Sequence, residues 1–189
     1  MKKALVIAFV LLQTAVFAQT TTWKVDKAHS KLTFSTTHLG ISDIEGLFKD
    51  FDVTVNTSKE DFSDATFELT TKVGSIDTEV EMRDNHLKSA DFFDAAKYPT
   101  MKFKSTSIKR AGANKYKLTG NFTLMGVTRP VTLDLWYRGT VTNPTSKAPT
   151  AGFQLTGTIK RSDFNLGPNF PAPMISDEVQ IKADGEFTK

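Results

Sequence analysis

The amino-acid sequence predicts an all-β fold: an antiparallel sheet closed into an eight-stranded barrel, with one helical excursion near residues 77–95. Three observations carry the prediction. Nearly every segment alternates apolar and polar residues, the mark of strands with one buried and one wet face; buried parallel strands read as continuous apolar runs instead. Residues 75–100 alone break the alternation. The predicted inner faces also carry small residues, Ala65, Gly120, Ala151, Gly157, Ala183 and Gly185, where a solid core would more often place Val, Leu or Ile. A one-faced sheet hides its apolar side in a two-sheet sandwich or by closing on itself. The small residues favour closure around a hollow, because eight strands leave room either for filling side chains or for one small ligand.

The chain opens with MKKALVIAFVLLQTAVFA, two lysines and then an apolar run ending in small residues. This reads as a secretory signal peptide over residues 1–18, cleaved after Ala18, and the run is too short for a stable membrane span. Residues 19–189 are then one exported domain, periplasmic or secreted and not an integral membrane protein. The chain has no cysteine, so neither a lipid anchor on a thiol nor a disulfide enters the fold. Of 24 basic residues the leader holds two, leaving 22 against 21 acidic ones, a charge of +1. Nucleic acid is therefore not an expected partner. The 15 phenylalanines against 3 tyrosines and 2 tryptophans suit a lined apolar interior, though an ordinary core accounts for the count equally well.

In chain order, Leu32, Phe34, Thr36 and His38 share one face of the first strand, which Gly40 ends. Phe51, Val53 and Val55 follow, and Phe48 falls three residues before Phe51, out of step with a period of two, so a bulge is expected around Lys49 and Asp50. Ala65, Phe67, Leu69, Thr71 and Val73 form the next inner set. In the excursion, Val80, Leu87 and Ala90, with Phe92 and Phe93 beyond, fit a helical stripe that Asp77 or Thr78 can cap. Such a segment is the natural lid of a barrel. Met101 and Phe103 resume the alternation, followed by Tyr116, Leu118, Gly120, Phe122 and Leu124. MGVTRP at residues 125–130 reads as a tight turn, and Val131, Leu133, Leu135 and Tyr137 point inward after it. Residues 143–149 form a long hairpin connection, and the last two strands bury Phe153, Leu155 and Ile159, then Val179, Ile181 and Phe187.

Several blocks resemble the YceI-like (polyisoprenoid-binding) family: WKVDKAHSKLTFSTTHLGISDIEGLF, SIDTEVEMRDNHLKSADFFDAAKYPTMKF, GNFTLMGVTRPVTL, and IKRSDFNLG followed by ISDEVQI. They keep the family's order across the whole mature chain. The resemblance implies a lipocalin-like barrel with a helical segment, export to the periplasm or beyond, and a small-molecule lipid, an isoprenoid or similar amphiphile, bound without catalysis. It leaves a homodimer open.

The tail of such a ligand is expected against Phe34, Phe51, Phe67, Phe103, Phe122, Leu124, Phe153 and Leu155. The head group is expected near His38, Arg83, Asp84 and His86, with Arg161 and Asp163 as a second set, since arginine presents a fork of donors to phosphate or quinone oxygens. The competing reading makes Arg83 and Asp84 a structural pair that pins the helix across the mouth. His29, His38 and His86 lack metalloprotease spacing, and no nucleotide-binding or serine-hydrolase motif is present, so neither metal, cofactor nor catalytic residue is expected. Two other classes stay in view: an exported interaction or stress protein with a solid barrel, to which the outward Trp136 points, and an enzyme using Arg83 and His86.

Overall fold

The computed structural model describes residues 19–189; the expected signal peptide lies outside them. Ten strands form one fully antiparallel sheet: β1 (Thr21–His38), β2 (Ser42–Phe48), β3 (Phe51–Thr57), β4 (Thr66–Lys72), β5 (Ile76–Asp77), β6 (Thr100–Gly112), β7 (Lys115–Leu124), β8 (Val127–Thr142), β9 (Pro149–Lys160) and β10 (Ile175–Thr188). Each long strand pairs with its neighbour, and β10 returns to pair with β1 from Lys24↔Thr188 to His38↔Ile175, which closes the sheet. The sandwich alternative is thereby excluded.

The count of eight staves follows from the spacing of Phe48 and Phe51. β2 pairs with the C-terminal half of β1 (Leu32↔Phe48) and β3 with its N-terminal end (Lys24↔Thr54), so the two are halves of one stave. In place of the expected bulge, Lys49 and Asp50 interrupt the strand outright: the Lys49 N–H donates to the Ser75 carbonyl at 3.1 Å and the Asp50 N–H to Ser75 Oγ at 3.0 Å. The interruption bends the stave and lets both Phe48 and Phe51 point inward. With β5 only two residues long, β1, β2 with β3, β4, β6, β7, β8, β9 and β10 make the barrel.

Two further local expectations need correction. The tight turn is Met125 and Gly126 alone, both at positive φ (50° and 75°), the two-residue form that matches the twist of a hairpin. Pro130 belongs to β8; β9 pairs with β8 only from Asp134, so the missing N–H falls where no second ladder exists. The helix is also shorter than its apolar pattern suggested. α1 spans Glu81–Lys88, its N-cap is Val80, and no side chain caps it. Asp84 instead reaches back to the Thr78 N–H and hydroxyl, at 2.9 and 2.5 Å. Phe92 and Phe93 are buried by tight turns beyond the helix rather than by a helical stripe.

The barrel has two unlike ends. The top carries the β1–β2 hairpin, the excursion over residues 78–98, the Met125–Gly126 turn and residues 161–174. The base carries residues 58–65, 113–114 and 143–148, and it is filled: Phe62 packs tilted against Tyr137 and Trp23 and edge-on to Phe153, at 4.8 to 5.4 Å between ring centres. Trp23 and Phe62 are both buried.

Candidate functional site: an apolar cavity in the upper barrel

Above that aromatic base the barrel holds a cavity of about 460 Å³, within the size range of small-molecule sites. Each stave contributes alternate side chains to it, as the pleat requires. All eight side chains predicted from the alternation as tail contacts, from Phe34 to Leu155, line it. So do residues that the alternation did not single out as contacts, among them Phe48, Phe92, Phe93, Phe170 and Phe187. Of these, Phe48 and Phe187 were legible as inward residues, whereas Phe92 and Phe170 come from turns in which no strand period applies.

The small inner residues do not create the hollow as expected. A Cβ on Gly120 would lie 2.4 Å from the Phe103 ring, and one on Gly157 would lie 2.3 Å from Leu133 Cδ2. Neighbouring large side chains therefore lie over both glycines, the Phe103 ring over Gly120 and Leu133 over Gly157. Ala65 and Ala151 are buried away from the cavity lining, and only Ala183 and Gly185 of the six border it.

The polar candidates separate into three groups. His38, Arg83 and His86 line the upper cavity. Arg83 donates from Nε to Thr78 Oγ1 at 2.8 Å and from Nη2 to the Thr78 carbonyl at 2.6 Å. Those bonds occupy two of its five donors, and none of its others has a hydrogen-bond acceptor among the described residues. His86 faces Asp91 at 3.1 Å through Nε2 and sets its ring edge-on to Phe92 and Phe170. Asp84 and Asp163 do not border the cavity. Arg83 and Asp84 do not pair directly; both are bonded to Thr78.

Arg161 borders the cavity, but as a brace. It is 6% exposed, and its five donors meet five backbone carbonyls: Ser176 from Nε at 3.0 Å, Leu166 and Gly167 from Nη1 at 2.9 and 2.8 Å, and Phe170 and Ile175 (3.0 Å) from Nη2. No donor remains for a head group, so the expected role of Arg161 there is corrected: it ties the top loop into a wall. Asp177 secures the same corner by accepting from the Ser162 N–H and hydroxyl at 2.9 and 2.8 Å. Burial would raise the Asp177 carboxyl, but those two bonds and the Arg161 charge outweigh it and leave its pKa lowered.

At the opposite end, burial acts against ionisation of Asp64, yet bonds from Ser58 and Thr57 hold its pKa down at about 2. Asp64 thus fixes the loop that carries Phe62. Outside the barrel, Asp26 stands directly opposite Glu186, and a four-residue bulge in β1 brings His29 to them, all three ligand atoms lying within 4.8 Å. Such a trio can ligate a metal. Here His29 is hydrogen-bonded to Asp26 at 2.9 Å, and that bond, with the nearby Asp26 and Glu186 charges, raises its pKa. Trp136, the outward tryptophan, lies under the Arg138 guanidinium at 4.5 Å.

Residues 23–187 match the YceI-like domain family. The chain belongs to the YceI-like family. It is 38% identical over 177 residues to protein YceI of Salmonella arizonae, covering 93% of this chain and 92% of that one, and protein YceI of Salmonella enteritidis matches equally. Among solved structures, BcnA of Burkholderia cenocepacia superposes with a TM-score of 0.75 at 32% identity, over 86% of this chain and 98% of that one. A polyisoprenoid-binding domain from Saccharophagus degradans, implicated in plant cell wall breakdown, shares the fold with a TM-score of 0.66 at 14% identity, over 88% and 97% of the two chains. The YceI-like barrel is thus the shared frame, and the lining described above is what this member places in it. No helix among the described residues is long and apolar enough to cross a membrane.

Proposed function

We propose that this protein is an exported carrier that encloses the tail of a single-chain amphiphile, a polyisoprenoid, isoprenoid quinone or fatty-acid-like lipid, for transport or storage and without catalysis. The observation that carries this reading is the cavity itself: about 460 Å³ lined mainly by phenylalanine, leucine, isoleucine and valine, with Arg83, His38 and His86 in its upper part. Its size allows an energy balance. At roughly 30 Å³ per carbon, the volume a water takes in the liquid, the space holds about fifteen methylenes. Burying them offers about 12 kcal/mol at ~0.8 kcal/mol each. Association and ordering take back about 4 to 15 kcal/mol, so useful affinity requires most of the tail to be enclosed. A shaft closed at its base by packed aromatic rings meets that requirement, and Arg83, with donors directed at no described acceptor, is suited to a carbonyl or anionic head.

A solid interaction barrel fits poorly with the hollow, and Trp136 has its own partner in Arg138. An enzyme built on Arg83 and His86 fits poorly because those side chains are engaged with Thr78, Asp91 and two phenylalanine rings. Family membership and the polyisoprenoid-binding neighbour support the lipid. Organic extraction of the purified protein followed by mass spectrometry should release about one amphiphile per chain. An empty extract, together with failure of the delipidated protein to bind fatty acids or isoprenols, would overturn the carrier reading.

A further inference from the structure

Resting on the carrier reading, we infer that the aromatic base is a chain-length gauge, with Phe62 as the residue that sets it. The lowest side chains bordering the cavity are Val25, Phe67, Leu135, Phe153 and Phe187. Beneath them lie Trp23, Phe62 and Tyr137, buried and outside the cavity lining. Phe62 is the link between the layers, its ring 4.9 Å from Phe153 and 5.4 Å from Trp23. Phe153 in turn packs edge-on to Phe67 at 5.5 Å and Phe187 at 5.4 Å, so Phe62 props up the ring that forms the floor.

The placement of Phe62 is specified rather than incidental. It adopts φ +56° although it is not glycine, a left-handed conformation that a bulky residue holds only when its surroundings enforce it. Those surroundings are on hand. Asp64 accepts from Ser58 and Thr57, the Tyr116 hydroxyl donates to the Asp61 carbonyl at 2.6 Å, and Arg110 holds the Asp61 carboxylate at 2.6 Å. The loop is fastened on three sides, and the ring it carries is driven up the barrel axis.

The depth this leaves agrees with the volume. From Val179, which stands opposite Thr36 below the His38–Ile175 rim, to Phe187 at the floor, β10 runs eight residues, which at ~3.3 Å per residue and a tilt near 40° is a shaft of about 20 Å. A zigzag of ~1.5 Å bonds advances roughly 1.3 Å per carbon, so about fifteen carbons reach the floor. A longer chain is stopped there, and its surplus stays at the mouth, against Phe170 and Met174.

The test is a chain-length series of straight saturated fatty acids from about eight to twenty carbons, supplied as monomers to delipidated protein and read by displacement of a fluorescent fatty acid. In the unaltered protein, affinity should rise about fourfold per added carbon, the equivalent of ~0.8 kcal/mol, and level off near fifteen. Phe62→Leu, which keeps the base apolar, and Phe62→Ala should move the plateau up by about two carbons or more as the floor relaxes. Val25→Phe, which adds a ring above the floor and leaves the base loop intact, should move it down by a similar amount. A plateau unmoved in both Phe62→Leu and Val25→Phe, or no plateau in the unaltered protein, overturns the gauge while leaving the carrier reading standing. Absence of binding at every length overturns the gauge as well; the carrier reading falls only if isoprenols also fail to bind and the extract is empty.

Discussion

Replacing Arg161 with methionine separates a brace from a ligand contact. The substitution keeps an unbranched stem, stops short of the guanidinium and removes all five donors, leaving the carbonyls of Leu166, Gly167, Phe170, Ile175 and Ser176 without them. The Leu166 and Gly167 bonds are fully buried, and an unsatisfied buried acceptor costs about 1 to 3 kcal/mol. The other three carbonyls are part-buried, and water can replace some of what they lose. The expected loss is therefore about 4 kcal/mol, which for a domain of this size lowers Tm by roughly 8 to 16 °C. Calorimetry on delipidated protein measures it, and hydrogen exchange should locate the loosening in residues 166–176. Arg161→Lys should recover only part, because one ammonium cannot reach five carbonyls. If Arg161→Met unfolds within about 2 °C of the unaltered protein but loses ligand, Arg161 is a head-group contact and the brace is wrong.

Asp64→Asn should cost about 2 kcal/mol at neutral pH, or roughly 4 to 8 °C in Tm, by weakening the charged bonds to Ser58 and Thr57. Because the folded pKa of Asp64 is depressed to about 2, its contribution is complete above about pH 4 and fades as pH falls toward 2; a Tm difference that stays constant down to pH 2 contradicts this. Arg83→Ala should cost the delipidated protein only about 1 kcal/mol while weakening an amphiphile with a carboxylate head about tenfold, measured by calorimetry and by titration. Equal affinity for ligands with and without the carboxylate in both proteins would remove Arg83 from the head site. Gly120→Ala should destabilise by about 2 kcal/mol, since its methyl meets both the Phe103 ring at 2.4 Å and the unyielding Lys104 carbonyl at 2.6 Å; a thermally neutral variant would show that the ring does not rest there.

What the sequence disclosed and what it withheld divide along the period of the strand. Where a strand runs unbroken, as from Tyr116 to Leu124, alternation alone identifies the inward side chains, and the wall from Phe34 to Leu155 was legible. Closure was legible only as a preference, because pairing of β1 with β10 is a long-range event that no local pattern contains. Phe62 was invisible: it lies in a loop, its backbone is left-handed, and its burial depends on Trp23, Tyr137 and Phe153 from three other parts of the chain. Gly120 was misread for a related reason. A missing side chain looks like space until the register shows whose ring is laid across it. The role of Arg161 was likewise set by carbonyls that its own loop brings around, and the arginine's sequence context shows a charge without its partners.

The central claim is tested most directly by a crystal structure of the protein carrying its extracted lipid. Continuous density along the barrel axis, ending against Phe153 and reaching Arg83 at the mouth, is the predicted result. An axis occupied by repacked Phe103, Phe122 and Leu133 side chains, with the lipid on the outer surface or absent, would contradict it.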